Sequence, residues 1–240
     1  MFLGEARTPP DMRIYAIGDV HGCDDLLAET HDRIADDLRR RPAGDHRIVH
    51  VGDYVDRGPD SAGVVERVLR LREADPRVVC LCGNHEDTLL KFLEDSEDWA
   101  ATFLGYGGVA TIESYGVPVE QTYNEGGLAL LCDRFAEAMP APHLEFLRGL
   151  PLSVRFGDYL FCHAGIHPGV PLEEQTPDDL RWIRDVFLQD TRDHGVVVVH
   201  GHTPADEPEV RRNRINIDTG AFFSGRLTCV VLEGTAHRFL

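Results

Sequence analysis

The 240-residue sequence predicts an α/β fold built on a parallel sheet. Three observations point there. Short apolar runs alternate with helical patterns through the first third of the chain. Each of those runs ends in glycine followed by a polar residue. Apolar runs rich in valine and isoleucine return near the carboxyl end, after a helical stretch.

Taken in order, "RIYAIGD" (Arg13–Asp19) reads as a buried strand. "CDDLLAETHDRIADDLRRR" (Cys23–Arg41) reads as a helix, with Leu26, Leu27, Ile34 and Leu38 at helical spacing. Its arginines fall in the last turn, where the helix dipole favours them. "HRIVHVGD" (His46–Asp53) is a second strand, and "PDSAGVVERVLRLREAD" (Pro59–Asp75) a second helix with Pro59 and Asp60 in its first turn. "RVVCLCGN" (Arg77–Asn84) is a third strand. The βαβαβ order is that of a parallel sheet with helical crossovers. From residue 86 to about 150, "EDTLLKFL", "LALLCDRFAEAM" and "HLEFLRGL" carry helical patterns, and the glycine-rich "GYGGVATIESYG" is expected to interrupt them. This stretch is expected to form a helical cap over one end of the sheet. "LSVRFGDYLFCHAG", "GVVVVHGHT", "RINIDTG" and "RLTCVVLEG" then read as strands, two of them within antiparallel hairpins. No internal repeat or low-complexity linker divides the chain. A single domain over residues 1–240 is expected, with the cap at about 86–150.

Composition narrows the function. A hydrophobic share of 42% is ordinary for a globular domain. The formal charge is −17, from 41 acidic and 24 basic residues, which disfavours sequence-blind binding to duplex nucleic acid. The six cysteines (Cys23, Cys80, Cys82, Cys132, Cys162, Cys229) form no CxxC pair, and four lie in apolar runs. Buried, reduced thiols and a cytoplasmic location are expected. The opening "MFLGEARTPPDMR" has no apolar core, and no run of about 18 apolar residues occurs, so neither a secretory signal nor a membrane span is expected.

The chemistry sits where strands end. "GDVHG" (Gly18–Gly22), "GDYVDRG" (Gly52–Gly58) and "GNHE" (Gly83–Glu86) each follow a predicted strand. In a parallel sheet those points share one edge, where such folds bind ligands. Asp19 and His21, two apart, would face one side of an extended backbone. "LFCHAG", with His163, and "VVVVHGHT", with His200 and His202, end two later strands alike. A lone "GD" after a strand is usually a turn with a capping aspartate. Five such clusters in order are not explained by turn chemistry. A mixed oxygen and nitrogen set with a shared carboxylate suits two divalent transition metals, such as Mn²⁺, Fe or Zn²⁺, rather than Ca²⁺.

These motifs, in this order, resemble the phosphoprotein phosphatase branch of the calcineurin-like metallophosphoesterases. "GDYVDRG" is the most specific of them. "GGVATIESYG" and the later "IDTG" are similar to the small bacterial and phage serine/threonine phosphatases. The resemblance implies a β-sandwich core of mixed sheets flanked by helices. It also implies a hydrolase in which a hydroxide activated by two metals attacks phosphorus directly. Asp19 and His21 would hold the first ion, Asp53 would bridge, and Asn84, His163 and His202 would complete the second. His85 would be the general acid, oriented by Asp56. Arg57 would grip the phosphate with Asn84, and Arg184 would be a second clamp, the arginine two after Trp182. Arg181 is read as a surface residue. His202 is preferred over His200, and His167 lies near the site. His31, His46, His50, His143, His194 and His237 are read as surface or capping residues.

The core fixes phosphoester chemistry, not the substrate. Phosphoserine and phosphothreonine proteins lead, extending to phosphotyrosine and small aryl phosphates. The runner-up is symmetric hydrolysis of diadenosine tetraphosphate or related dinucleoside polyphosphates. A non-catalytic module on the same fold would lack a ligand or the acid, and every position is filled. The extra tyrosine of larger eukaryotic members has no counterpart after His202. The oligomeric state is not legible.

Overall fold

The computed structural model describes residues 1–240. Along the chain the elements are β1 (Met12–Ile17), α1 (Asp24–Arg40), β2 (Asp45–His50), α2 (Ser61–Ala74) and β3 (Val78–Cys80). Helices follow: α3 (Asn84–Glu94), α4 (Ser96–Phe103), α5 (Val109–Ser114), α6 (Val119–Ala138) and α7 (Ala141–Arg148). Then come β4 (Ser153–Phe156), β5 (Tyr159–Cys162), α8 (Pro177–Trp182), α9 (Asp185–Leu188), β6 (Val197–His200), β7 (Glu209–Val210) and β8 (Arg214–Asn216). The chain ends with α10 (Ala221–Ser224), β9 (Cys229–Glu233) and β10 (Ala236–Phe239).

The strands form two five-stranded mixed sheets, ordered β10-β9-β1-β2-β3 and β4-β5-β6-β8-β7. Strands β1, β2 and β3 are parallel, as are β5, β6 and β8. The outer strands join by antiparallel pairing, which closes the β4–β5, β7–β8 and β9–β10 hairpins. Side chains alternate along each strand, and here both faces are apolar. Ile14 and Ala16 of β1 meet Tyr159 and Phe161 of β5 and Val197 and Val199 of β6 in a cluster between the sheets. Tyr15 and Ile17 point the other way, into the largest core, with Leu27, Ile34, Val64 and Val68 from α1 and α2. Leu160, Cys162 and Val198 cover the outer face of the second sheet with Leu180 and Phe187. The result is a sandwich with helices outside.

Helices α3 to α7 share that largest core, through Leu89, Phe92, Phe103, Ile112, Leu131, Phe135 and Phe146. Phe92 and Phe103 stack at 4.7 Å, and Phe103 stacks on Phe135 at 6.1 Å. The glycine-rich stretch interrupts this layer as expected: at Gly107 the backbone leaves the helical path, with φ +106° and ψ 12°, and the chain kinks between α4 and α5. A side chain at that φ would be strained, which favours glycine there. Helix α6 also begins earlier than its apolar pattern, with a break at Gly127. Asp60 caps α2 from outside its first turn, accepting the Gly63 N–H at 2.8 Å.

Several histidines differ from expectation. His50 and His143 are buried, and His194 keeps its side chain covered. His143 lies 2.8 Å from Glu66 and 2.9 Å from the Tyr115 hydroxyl. His31 and His50 meet ring to ring, Nε2 to Nε2 at 3.4 Å. Burial, helped by the nearby Arg67 charge, holds His31 down at about 4. An unfolded histidine titrates near 6.5. Between those values the unfolded chain binds the extra proton, so folding stability drops as pH falls from about 6.5 to about 4. His31→Gln is expected to flatten this slope in urea titrations run across that range. An unchanged slope would contradict the burial account.

Candidate active site

The carboxyl ends of the parallel strands from both sheets meet at one rim. Asp19 and His21 follow β1, Asp53 follows β2, Asn84 and His85 open α3 just beyond β3, His163 follows β5, and His202 follows β6. All seven are at most 5% exposed. At their centre is Asp53. Its Oδ2 lies 3.3 Å from His163 Nε2, 3.5 Å from His21 Nε2 and 3.8 Å from His85 Nε2. Its Oδ1 accepts the His85 N–H at 3.1 Å, from the first turn of α3. Gly83 must lack a side chain, because a Cβ there would sit 2.1 Å from Asp53 Oδ1.

The second coordination partner of each ring fixes its orientation. His163 Nδ1 faces the Val51 carbonyl at 3.0 Å, and His21 Nδ1 faces that of Val55 at 2.8 Å. Both Nδ1 atoms therefore carry hydrogen and donate, which turns each Nε2 toward Asp53. Asn84 Oδ1 lies 2.9 Å from His163 Nε2 and 2.8 Å from His202 Nδ1. Lone pairs thus crowd together where a cation satisfies them. Two overlapping groups have metal-ligating separations: Asp53, His163 and His202, and Asp53, His21 and His85. Asp19 Oδ1 and His202 Nε2 are buried with no hydrogen-bond partner. Asp19 uses its other oxygen to accept the His202 N–H at 2.9 Å. This donor set fits divalent transition ions.

Electrostatics agree. Burial raises Asp19 well above the usual carboxylate range, and nearby Asp218 adds to it. Burial also opposes ionisation of Asp53, yet His163, His85 and His21 outweigh it and hold Asp53 well below that range. Burial likewise opposes charge on His163, but Asp53 and Asp19 lift it to about 9. The pocket demands positive charge. Burial holds His21 neutral, at about 3, and His202 at about 2.

Six non-glycine residues have positive φ: Asp11, His21, Asp53, Asp56, Arg57 and His202. Five of the six lie in this site. Such strain costs on the order of 1–3 kcal/mol per residue and concentrates where the surroundings hold a functional geometry. It also corrects one expectation. His21 has φ +45°, so it and Asp19 are brought together by a turn, not by strand alternation.

Beside the cluster, His85 Nδ1 lies 2.6 Å from Asp56 Oδ2. Asp56 is held in turn by Thr111 of α5, whose hydroxyl donates to Oδ1 at 2.7 Å. Burial opposes a charged His85 ring, but Asp53 and Asp56 raise it above its ordinary value. Arg57 reaches across, with Nη1 3.0 Å from His21 Nε2 and Nη2 3.1 Å from His85 Nε2. Arg184 is exposed, and its charge helps depress His202. Arg181 is not the expected surface residue. Its side chain is 12% exposed and bound to Asp87 at 2.6 Å. His200 is buried against Phe187, outside both ligating groups, and His167 lies exposed in the loop after β5.

Sequence reasoning passed over Glu86, Thr111 and Asp218. Glu86 is fully buried and accepts the N–H groups of Asp53 (2.9 Å), Tyr54 (2.7 Å), Val55 (3.4 Å) and Gly83 (2.8 Å). It ties the second and third site loops together. Burial and Asp53 push it up to about 7. The signals were the last letter of "GNHE" and the aspartate of "IDTG". Nothing local to Thr111 marks it, since its partner lies 55 residues away.

Sandwich and donor set together define a metal-dependent phosphoesterase. The chain belongs to the calcineurin-like phosphoesterase family, whose model matches residues 12–225. It is 29% identical to the asymmetrical bis(5'-nucleosyl)-tetraphosphatase PrpE of Oceanobacillus iheyensis, over 90% of this chain and 87% of that protein. A solved structure provisionally named a diadenosine tetraphosphatase superposes with a TM-score of 0.67 at 22% identity, covering 98% of this chain and 97% of that one. The cold-active protein-tyrosine phosphatase of a psychrophilic Shewanella superposes with a TM-score of 0.56 at 18% identity, over 98% and 83%. These superpositions show a shared fold. No helix is long and apolar enough to cross a membrane.

Removing the Glu86 carboxylate leaves several buried N–H groups unpaired, each costing about 1–3 kcal/mol. Glu86→Ala is expected to lose at least about 3 kcal/mol in chemical denaturation. A loss below about 1 kcal/mol would contradict its role as the loop tie.

Proposed function

We propose that this hydrolase cleaves dinucleoside polyphosphates, cutting a bis(5'-nucleosyl) tetraphosphate asymmetrically into a nucleoside triphosphate and a nucleoside monophosphate. The convergence of lone pairs around Asp53 carries the hydrolytic reading. The near full-length likeness to an asymmetrical tetraphosphatase supports the substrate. It reverses the order expected from the sequence motifs, in which phosphoproteins came first.

In this reading Asp53 is the shared ligand. Asp19 and His21 join it on one side, and Asn84, His163 and His202 on the other. Asp19 is preferred over His85 as a ligand because its Oδ1 is buried without a partner, whereas His85 is engaged by Asp56. Three imidazoles favour Mn²⁺, Fe or Zn²⁺ over Mg²⁺. When bound, two such ions supply an activated water and counter-charge for the phosphate. Arg57, lying between His21 and His85, is placed to fork onto phosphate oxygens, and Arg184 offers a second guanidinium from the exposed side. Asp56 holds the His85 ring through Nδ1, so Nε2 is free to carry the proton for the leaving oxygen once a phosphate draws Arg57 away.

Loss of a positioned general acid costs about 10²–10⁴ in rate, and most where the leaving group is a poor one. His85→Asn is therefore expected to cut kcat on an alkyl phosphomonoester more than on a phosphoanhydride, with metal content unchanged by elemental analysis. Loss of metal in this variant would move His85 into the ligand set instead. The substrate is tested by incubating Mn²⁺-loaded protein with diadenosine tetraphosphate or a phosphoserine peptide and separating the products. ATP and AMP are expected from the dinucleotide. Equal release of ADP alone would mean a symmetric cut, and turnover of the peptide alone would restore the phosphoprotein reading.

A further inference from the structure

We propose that Phe222 and Phe223 form the platform on which one nucleobase of the substrate stacks, beside the reacting phosphate. This rests on the nucleotide reading above and deepens it.

The two rings sit on α10, a four-residue turn between Gly220 and Gly225, both left-handed with φ +64° and +69°. Its own side chains pin it. The Gly220 N–H donates to Asp218 Oδ1 at 2.9 Å, and the Thr219 hydroxyl donates to the Arg226 carbonyl at 2.9 Å. The Arg226 N–H donates to Ser224 Oγ at 3.1 Å, and Ala221 anchors the turn in the core. The backbone of the turn is thus fixed, with the Phe223 ring folded back over Gly220 and both rings at the surface. Phe222 is 39% exposed and Phe223 63%. They pack edge to face at 5.0 Å. Two neighbouring phenylalanines left in water forgo burial that this rigid turn does not supply, which marks a surface waiting for an apolar partner.

Their position identifies that partner. The Phe222 ring lies edge-on to His21 at 5.6 Å, at the border of the candidate ligand cluster. The Arg57 guanidinium lies over the same ring at 5.1 Å. The guanidinium assigned above to grip phosphate therefore also stacks on the aromatic wall. In a nucleotide a single ribose separates phosphate from base, so a base attached to a phosphate near Arg57 falls beside the two rings. Because the rings are perpendicular, a base stacked on one of them meets the edge of the other, beside the guanidinium. The pair of rings is far smaller than the surface that a stable protein partner buries.

Calorimetry on the Mn²⁺-loaded enzyme separates base from phosphate, with ADP and inorganic pyrophosphate as probes. Phe222→Ala and the double variant with Phe223→Ala are expected to weaken ADP binding about tenfold or more while pyrophosphate binding changes less than about twofold. Phe222→Trp is expected to restore ADP binding. Equal weakening of both probes would show that the ring acts only by supporting Arg57. Unchanged ADP binding would show that the platform serves something other than a base. Either result overturns the proposal. Because binding is read directly, a wild-type enzyme that binds ADP but leaves diadenosine tetraphosphate intact would defeat the substrate reading and not this one.

Discussion

A carboxylate with almost no access to solvent, Asp53, is the constraint around which the molecule is organised. Burying one unpaired charge is expensive, and the chain does not neutralise it with a single basic partner. It surrounds Asp53 with imidazole lone pairs, an amide oxygen and the first turn of α3. That arrangement is poorly satisfied by protein alone. Asp19 Oδ1 and His202 Nε2 remain unpaired, and a proton is drawn onto His163 against the cost of burial. Divalent ions relieve both problems together, by supplying charge and by accepting the lone pairs.

The architecture follows from the need to bring those donors together. No single sheet edge offers all of them. Stacking two sheets with parallel centres places five site loops at one rim, and Asp53 from the first sheet touches His163 from the second. The loops are then forced into left-handed backbone at His21, Asp53, Asp56, Arg57 and His202. Glu86 stabilises that geometry from beneath by accepting four N–H groups. The helical layer contributes as well. Its kink accepts the Arg57 N–H through the Gly107 carbonyl, and Thr111 fixes Asp56. The helical segment therefore also fixes the loop that carries Asp56 and Arg57.

Much of this was legible in the sequence. The first three strands and two helices follow from apolar periodicity, and their ends carry the site motifs. The sandwich came from a family resemblance, because strand spacing does not say which sheet a late strand joins. The two-residue β7 and the largely exposed β10 give too little pattern to read. The glycines at 105, 107 and 108 read as a break, and the backbone does leave the helical path at Gly107. His50 and His143 read as surface residues because histidine carries no burial signal of its own; each is buried against a partner distant in sequence. The Arg181–Asp87 pair is hidden for the same reason.

We propose that these buried donors hold two divalent ions, with binding coupled to protonation. Titrating Mn²⁺ into metal-stripped protein by calorimetry, in two buffers of different ionisation enthalpy, measures stoichiometry and proton release together. Two ions per chain are expected, with protons expelled as the ions displace the charge on His163. Binding of a single ion, or of two without proton release, would contradict the proposal.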